Sequence, residues 1–246
     1  MTRIKYLDSE LKYAPKGIND FIFANPKMES KVIAYCSGQL TRPIILSGSN
    51  GTGKSLLSRL IPRAIENMDE VATFTIKASD LVSDSAVSNI YTRNKQFDHF
   101  FTFNGQKYSY YIIEEMNGII KGRDAFQLAL DHYKGTDLTI ITTNNVNRIA
   151  PGIISRCEVI DVPPCAPNVF FIHAKKILTA EGVDIDDTAL MTALEASYNK
   201  SPDNRSYYKL IDQLFRTYQQ RLNSSQFQHI QVTSTVATNA TNGVTP

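Results

Sequence analysis

The stretch Gly48-Ser49-Asn50-Gly51-Thr52-Gly53-Lys54-Ser55 decides how this chain folds, because it fills every fixed position of the pattern G-x-x-x-x-G-K-[S/T]. An apolar run, Pro43-Ile44-Ile45-Leu46-Ser47, precedes it, and a helix-like pattern begins at Leu56. The order strand, tight loop, helix is what a phosphate cradle needs. Glycines let the backbone take φ > 0, so that successive N–H groups converge on phosphate oxygens, and the following helix N-terminus adds partial positive charge. Residues Gly48 through Leu56 are therefore the expected nucleoside triphosphate site. Lys54 would neutralise the β- and γ-phosphates, and the Ser55 hydroxyl would ligate Mg²⁺.

Downstream, short β-branched or aromatic runs at Phe74–Ile76, Tyr110–Ile113 and Leu138–Ile141 alternate with longer helix-compatible segments. That alternation predicts an open, mainly parallel α/β sheet flanked by helices, with the nucleotide at its carboxyl edge. After Val159-Ile160-Asp161-Val162 the β pattern stops. Pro163, Pro164 and Pro167 form a hinge, and the remainder reads as helix: one over about 167–180, one from near Asp186-Asp187 with Leu190, Ala193 and Leu194 on one face, and one capped by Asp203. From Asn223 to Pro246 there is no Lys, Arg, Asp or Glu. Such a stretch buries too little apolar surface to offset the entropy of ordering it. The expected organisation is an α/β phosphate-loop domain over 1–162, a small all-helical domain over 163–222 and a disordered polar tail over 223–246.

Composition narrows the function classes. A net charge of +2 exerts no global pull on nucleic acid or membrane, so any polyanion site must be local. No apolar run reaches the ~18 residues of a membrane span, and Arg3, Lys5, Asp8 and Glu10 leave no signal-peptide core, so an intracellular protein is expected. Cys36, Cys157 and Cys165 have no metal-ligand spacing and are expected as buried or partly buried thiols. Asn239-Ala240-Thr241 fits a glycosylation acceptor, a chance match in an intracellular chain.

Behind the loop, the strand Tyr110–Ile113 ends in Glu114-Glu115. Two adjacent acids at a strand end are costly unless charge awaits them; Glu114 would orient Mg²⁺ or its waters and Glu115 would polarise the attacking water. A solvated acid pair is the alternative. After the next strand, Thr142-Thr143-Asn144-Asn145 puts short polar groups at the same sheet edge, where an amide could hold the lytic water or the γ-phosphate, or simply form a turn. Arg156, in Ile154-Ser155-Arg156-Cys157, and Arg205 are suited to phosphate recognition, although a lone arginine is more often a surface residue.

Taken in order, these segments resemble the AAA+ ATPase subunits of sliding-clamp loaders, the replication factor C and phage clamp-loader type, over roughly residues 10–221. Lys12-Tyr13-Ala14-Pro15 is similar to the family's Lys-Tyr-Arg-Pro box, Lys77-Ala78-Ser79-Asp80 to its Asn-Ala-Ser-Asp box, and Ser155-Arg156-Cys157 is its Ser-Arg-Cys signature; residues 177–190 resemble its lid. The resemblance implies a P-loop AAA+ fold with a helical lid and a Mg²⁺-dependent ATPase. It implies Asn144 as first sensor, Arg205 as second sensor and Arg156 as the finger that reaches a neighbouring subunit's ATP. It also implies like or related AAA+ subunits, a sliding clamp and primed double-stranded DNA as partners, in the cytoplasm of a bacterium or an infected cell, with no membrane partner. Lys121 and Arg123 are the candidate DNA-backbone contacts, with a solvated basic helix end as the alternative.

Three departures stand out. Ala14 replaces the box arginine, Glu114 replaces the usual aspartate and is one methylene longer, and a polar tail is expected where the family's collar domain would begin, so a stable pentamer is not implied. The competing expectations are a helicase loader or a DNA-associated regulator or defence ATPase forming ATP-dependent oligomers, and a non-catalytic nucleotide-binding adaptor.

Overall fold

The computed structural model describes residues 6–92, 105–118, 120–132 and 135–240, with side chains described as far as 222. The chain divides into two compact units. One holds Pro15–Val169 with Pro202–Asn204; the other holds the N-terminal segment up to Ala14, Phe170–Ser201 and the chain from Arg205 onward.

The first unit is built on five parallel strands, β1 (Ile44–Ser47), β2 (Thr73–Lys77), β3 (Ser109–Glu114), β4 (Asp137–Thr143) and β5 (Glu158–Asp161). Their order across the sheet is β2-β3-β4-β1-β5, with Ile44 beside Ile140 and Glu158, and Tyr110 beside Leu138. Helices α1 (Pro26–Cys36), α2 (Lys54–Glu66), α3 (Arg123–His132) and the single turn α4 (Pro151–Ile154) accompany them, and residues 84–92 are also helical. The central strands are apolar without alternation because both faces are covered. Ile44, Leu46, Tyr110 and Ile140 pack against Val32 and Tyr35 of α1 and Leu57, Leu60 and Ile61 of α2. Ile45, Tyr111, Ile113 and Ile141 turn to the other face, against Val87, Tyr91, Phe126, Leu130 and Ile153. Tyr91 stacks on Tyr111 with ring centroids 4.4 Å apart.

The three cysteines are free. Burial pushes the Cys36 and Cys165 thiols up to about 11 and Cys157 to about 12, so all three are protonated at neutral pH.

The second unit contains most of α5 (Pro167–Ala180), all of α6 (Asp187–Lys200) and α7 (Asn204–Ala240) from its second residue. Asp186 caps α6 by accepting from the Ala189 N–H. Phe170, Ile177, Leu190, Leu194, Tyr207, Ile211 and Phe215 are buried, and Phe170 stacks on Tyr207 at 4.5 Å.

Three boundaries differ from the sequence expectation, the first being that the helical unit takes up at Phe170 and not at residue 163. Residues up to Ala14 join the helical unit, not the sheet. The reason is polar: the Ser9 N–H donates to Asp212 and its hydroxyl to the Tyr208 carbonyl, while Lys12 and Tyr13 both reach the Glu181 carboxylate. The backbone of residues 223–240 is helical where a structureless tail was expected. Neither Gly nor Pro interrupts that stretch, and extending a nucleated helix costs far less than starting one. Residues 241–246 of that tail lie outside the described residues. No helix among the described residues is long and apolar enough to cross a membrane.

Candidate functional site: a phosphate loop at the carboxyl edge of the sheet

Because β1, β3 and β4 are parallel and adjacent, their carboxyl ends deliver three loops to one edge. The loop after β1 runs into α2. Gly51 and Gly53 take φ of +76° and +95°, which a side-chain-bearing residue adopts only with strain. Gly48 is required for a different reason: a Cβ there would sit 2.1 Å from the Val162 carbonyl oxygen, so the loop could not pass the end of β5.

Lys54 begins α2 and is buried, its ammonium donating to the carbonyls of Gly48 at 2.7 Å and Ser49 at 2.6 Å. These bonds satisfy a charge that would otherwise be costly to remove from water. Ser49, Asn50, Gly51 and Thr52 form the rim, closed by the Thr52 hydroxyl on the Ser49 carbonyl. Ser55 is exposed on the first turn of α2, with Leu56 beside it.

The loop is also held from far along the chain. Asn204 donates its backbone N–H to the Gly51 carbonyl at 3.1 Å and its side-chain amide to Thr52 at 3.3 Å, while its Oδ1 accepts from the Cys165 N–H at 2.9 Å. Asp203 lies so near that a Cβ on Gly51 would come within 3.0 Å of it.

At the end of β3, Glu114 is partly buried and faces Arg59 of α2 at 3.3 Å. Glu115 is exposed and holds φ of +59°, a conformation uncommon for any residue but glycine. Its N–H donates to the Thr142 hydroxyl of β4 at 3.1 Å. Asn144, also exposed, follows β4 directly. The phosphate loop, Glu114, Glu115 and Asn144 therefore share one sheet edge. Hard oxygen donors, the Ser55 hydroxyl and the Glu114 carboxylate, fit Mg²⁺, which takes one or two protein oxygens and completes its octahedron with phosphates and water. Among the described residues no group of three or more His, Cys, Asp or Glu is placed to hold a metal ion without such help.

The arginines have carboxylate partners. Arg156 precedes β5, at its amino end, whereas the phosphate loop follows the carboxyl end of the neighbouring parallel strand β1. Its guanidinium donates to Asp131 at 2.8 Å and to the Gly152 carbonyl at 2.7 Å. Arg205 belongs to the helical unit and faces Glu10 at 3.3 Å. Lys121 is exposed, and Arg123, at the start of α3, pairs with Asp124 at 3.0 Å. Asn117, Asp131 and Asn204 carry contacts that sequence reasoning missed, since each depends on residues distant in the chain.

Comparison with known proteins agrees with this architecture. The family described as "ATPase family associated with various cellular activities (AAA)" matches residues 44–163. Replication factor C small subunit 1 of Pyrobaculum arsenaticum is 22% identical over 193 residues, covering 76% of this chain and 56% of its own. Probable replication factor C subunit 5 of Dictyostelium discoideum is 25% identical over 189 residues, 75% of this chain and 53% of its own. DNA polymerase III subunit gamma/tau of Mycoplasma genitalium is 25% identical over 222 residues, 82% of this chain and 36% of its own. The chain thus spans about half the length of its replication factor C relatives. Among solved structures, the Thermotoga maritima RuvB Holliday junction branch migration motor matches with a TM-score of 0.60 at 16% identity, over 80% of this chain and 63% of that one, a likeness of fold alone. Residues 44–163 are an AAA ATPase domain, and the chain that carries them is distantly similar to the small subunits of replication factor C and to the gamma/tau subunit of DNA polymerase III.

Proposed function

We propose that this chain is an ATP-driven switch in DNA replication, a clamp-loader subunit that opens a sliding clamp in its ATP state and releases it on primed DNA after hydrolysis. The placement of Arg156 carries this reading. Its backbone stands at the sheet edge opposite its own phosphate loop, separated by the length of β1 and β5 at about 3.3 Å per residue, so it is better placed to serve a neighbour's nucleotide than its own.

In this mechanism the loop N–H groups and Lys54 bind the triphosphate, and Ser55 and Glu114 hold Mg²⁺. When bound, the ion neutralises phosphate charge. Glu115 polarises the attacking water, Asn144 and Arg205 contact the phosphate end, and Arg156 of the adjoining subunit completes the site. Lys121 and Arg123 track the backbone of primed DNA. The likeness to replication factor C and polymerase subunits supports the replication setting.

The test is the ATPase rate of the purified chain alone, with primed DNA, with a cognate clamp, and with both. Stimulation greatest with both together is expected. Equal rates in all four would end the clamp-loading reading, and stimulation by DNA alone would favour a helicase loader or DNA-associated regulator.

A further inference from the structure

Asn117 lies three residues beyond the end of β3, yet its side chain is bonded to the loop after β4. Its Oδ1 accepts the Asn144 N–H at 2.8 Å and the Thr143 hydroxyl at 3.3 Å. Two donors converge on one atom, so that atom is the amide oxygen; the nitrogen has no lone pair to offer. The Asn117 N–H in turn donates to the Glu115 carbonyl at 2.7 Å. The same two loops are joined again where Glu115 and Met116 donate to the Thr142 hydroxyl and carbonyl at 3.1 and 2.9 Å. Both Glu115 and Asn144 are exposed, so packing does not hold them; these hydrogen bonds do.

From this we infer that Asn117 is a positioning residue for hydrolysis, a single acceptor oxygen that keeps the left-handed Glu115 turn and the Asn144 backbone in fixed register. The inference rests on the reading that Glu115 and Asn144 serve ATP hydrolysis. Asn117 itself does not touch the reacting atoms; it acts through its two neighbours. Without its oxygen the Asn144 amide loses its partner, the two loops stay joined only at Thr142, and the Asn144 backbone is no longer held in register with the water-polarising carboxylate. The phosphate loop meets this segment through the Gly48 N–H on the Thr143 carbonyl at 3.2 Å, a backbone bond that the Asn117 side chain does not make, so nucleotide binding is separable from turnover.

The experiment compares Asn117→Leu, which keeps the volume and removes the acceptor, with Asn117→Asp, which keeps the acceptor. In the full chain, kcat, the dissociation constant of a non-hydrolysable ATP analogue, and hydrogen exchange at the Asn144 amide are measured. Asn117→Leu should lose about 10- to 100-fold in kcat, with unchanged analogue affinity and a faster-exchanging Asn144 amide. Asn117→Asp should keep near-wild-type turnover and protection. Wild-type kcat in Asn117→Leu, or an Asp variant as impaired as the Leu one, overturns the assignment. If Asn117→Leu does not fold, the Asp variant decides alone. Wild-type protein without turnover defeats the hydrolysis reading itself; a slow Asn144 amide in wild-type and Asp protein but not in Leu then still supports the tie between the loops, and equal exchange in all three removes it.

Discussion

At the scale of the single residue, Glu115 is the informative position. A left-handed backbone costs roughly 1–2 kcal/mol for a residue with a Cβ, and the structure holds Glu115 there with bonds from its own N–H and carbonyl. Strain retained at an exposed acid is expected where the side chain is needed for chemistry. The consequence is an inversion of the usual order: Glu115→Gly should be more stable than Glu115→Ala by about 1 kcal/mol, with both losing turnover. Denaturant titration of the two variants checks this, and an Ala variant at least as stable as the Gly one would show that no strain resides there. The residue types at Lys54, Ser55, Glu114, Glu115 and Asn144 were legible in the sequence because they follow fixed spacings from a loop or a strand end. Asn117 was not, since nothing near it in the chain announces that β3 and β4 are neighbours.

At the scale of the element, the strands and helices were legible wherever an apolar period was long enough. Predicted helix 167–180 is α5, and the strand expected at Leu138–Ile141 is the core of β4. What periodicity could not convey is the anchoring of the phosphate loop by Asn204. Asn204 is the first residue of α7 and binds two loop carbonyls and the Cys165 amide. Fixing carbonyls on one side of a peptide fixes the direction of the N–H groups on the other, which are those that must meet phosphate. Asn204→Ala removes two side-chain bonds at about 1 kcal/mol each. It should therefore weaken ADP and ATP binding alike, by several-fold to about 30-fold. Equilibrium nucleotide titration measures it; an effect on ATP alone would contradict an anchor that acts on the loop as a whole.

At the scale of the whole molecule, the decisive question is whether the nucleotide site is completed by a second chain. Arg156→Ala should keep ATP binding and lose most hydrolysis, since a cation added to the γ-phosphate in the transition state is worth about 10³–10⁵ in rate. Lys54→Ala should lose binding. Mixed together, the two should recover part of the activity, rising with protein concentration, because an intact loop on one chain meets an intact arginine on the other. A strictly monomeric wild type with constant specific activity and no rescue in mixtures would sink the shared site. The sequence pointed to Arg156 as a phosphate-suited arginine and, through a family resemblance, as a finger; its placement across the sheet from the loop required the strand order. The Asp131 partner of that arginine adds a condition on assembly. On a lone chain the guanidinium is already capped, so stray anions meet a neutral pair instead of a bare cation. Exchanging Asp131 for a neighbour's polyphosphate means breaking a half-exposed ion pair worth about 0–1 kcal/mol, which lowers the docking constant by no more than about fivefold. If Arg156 serves a neighbouring chain as proposed, so weak a cap does not keep it from that partner.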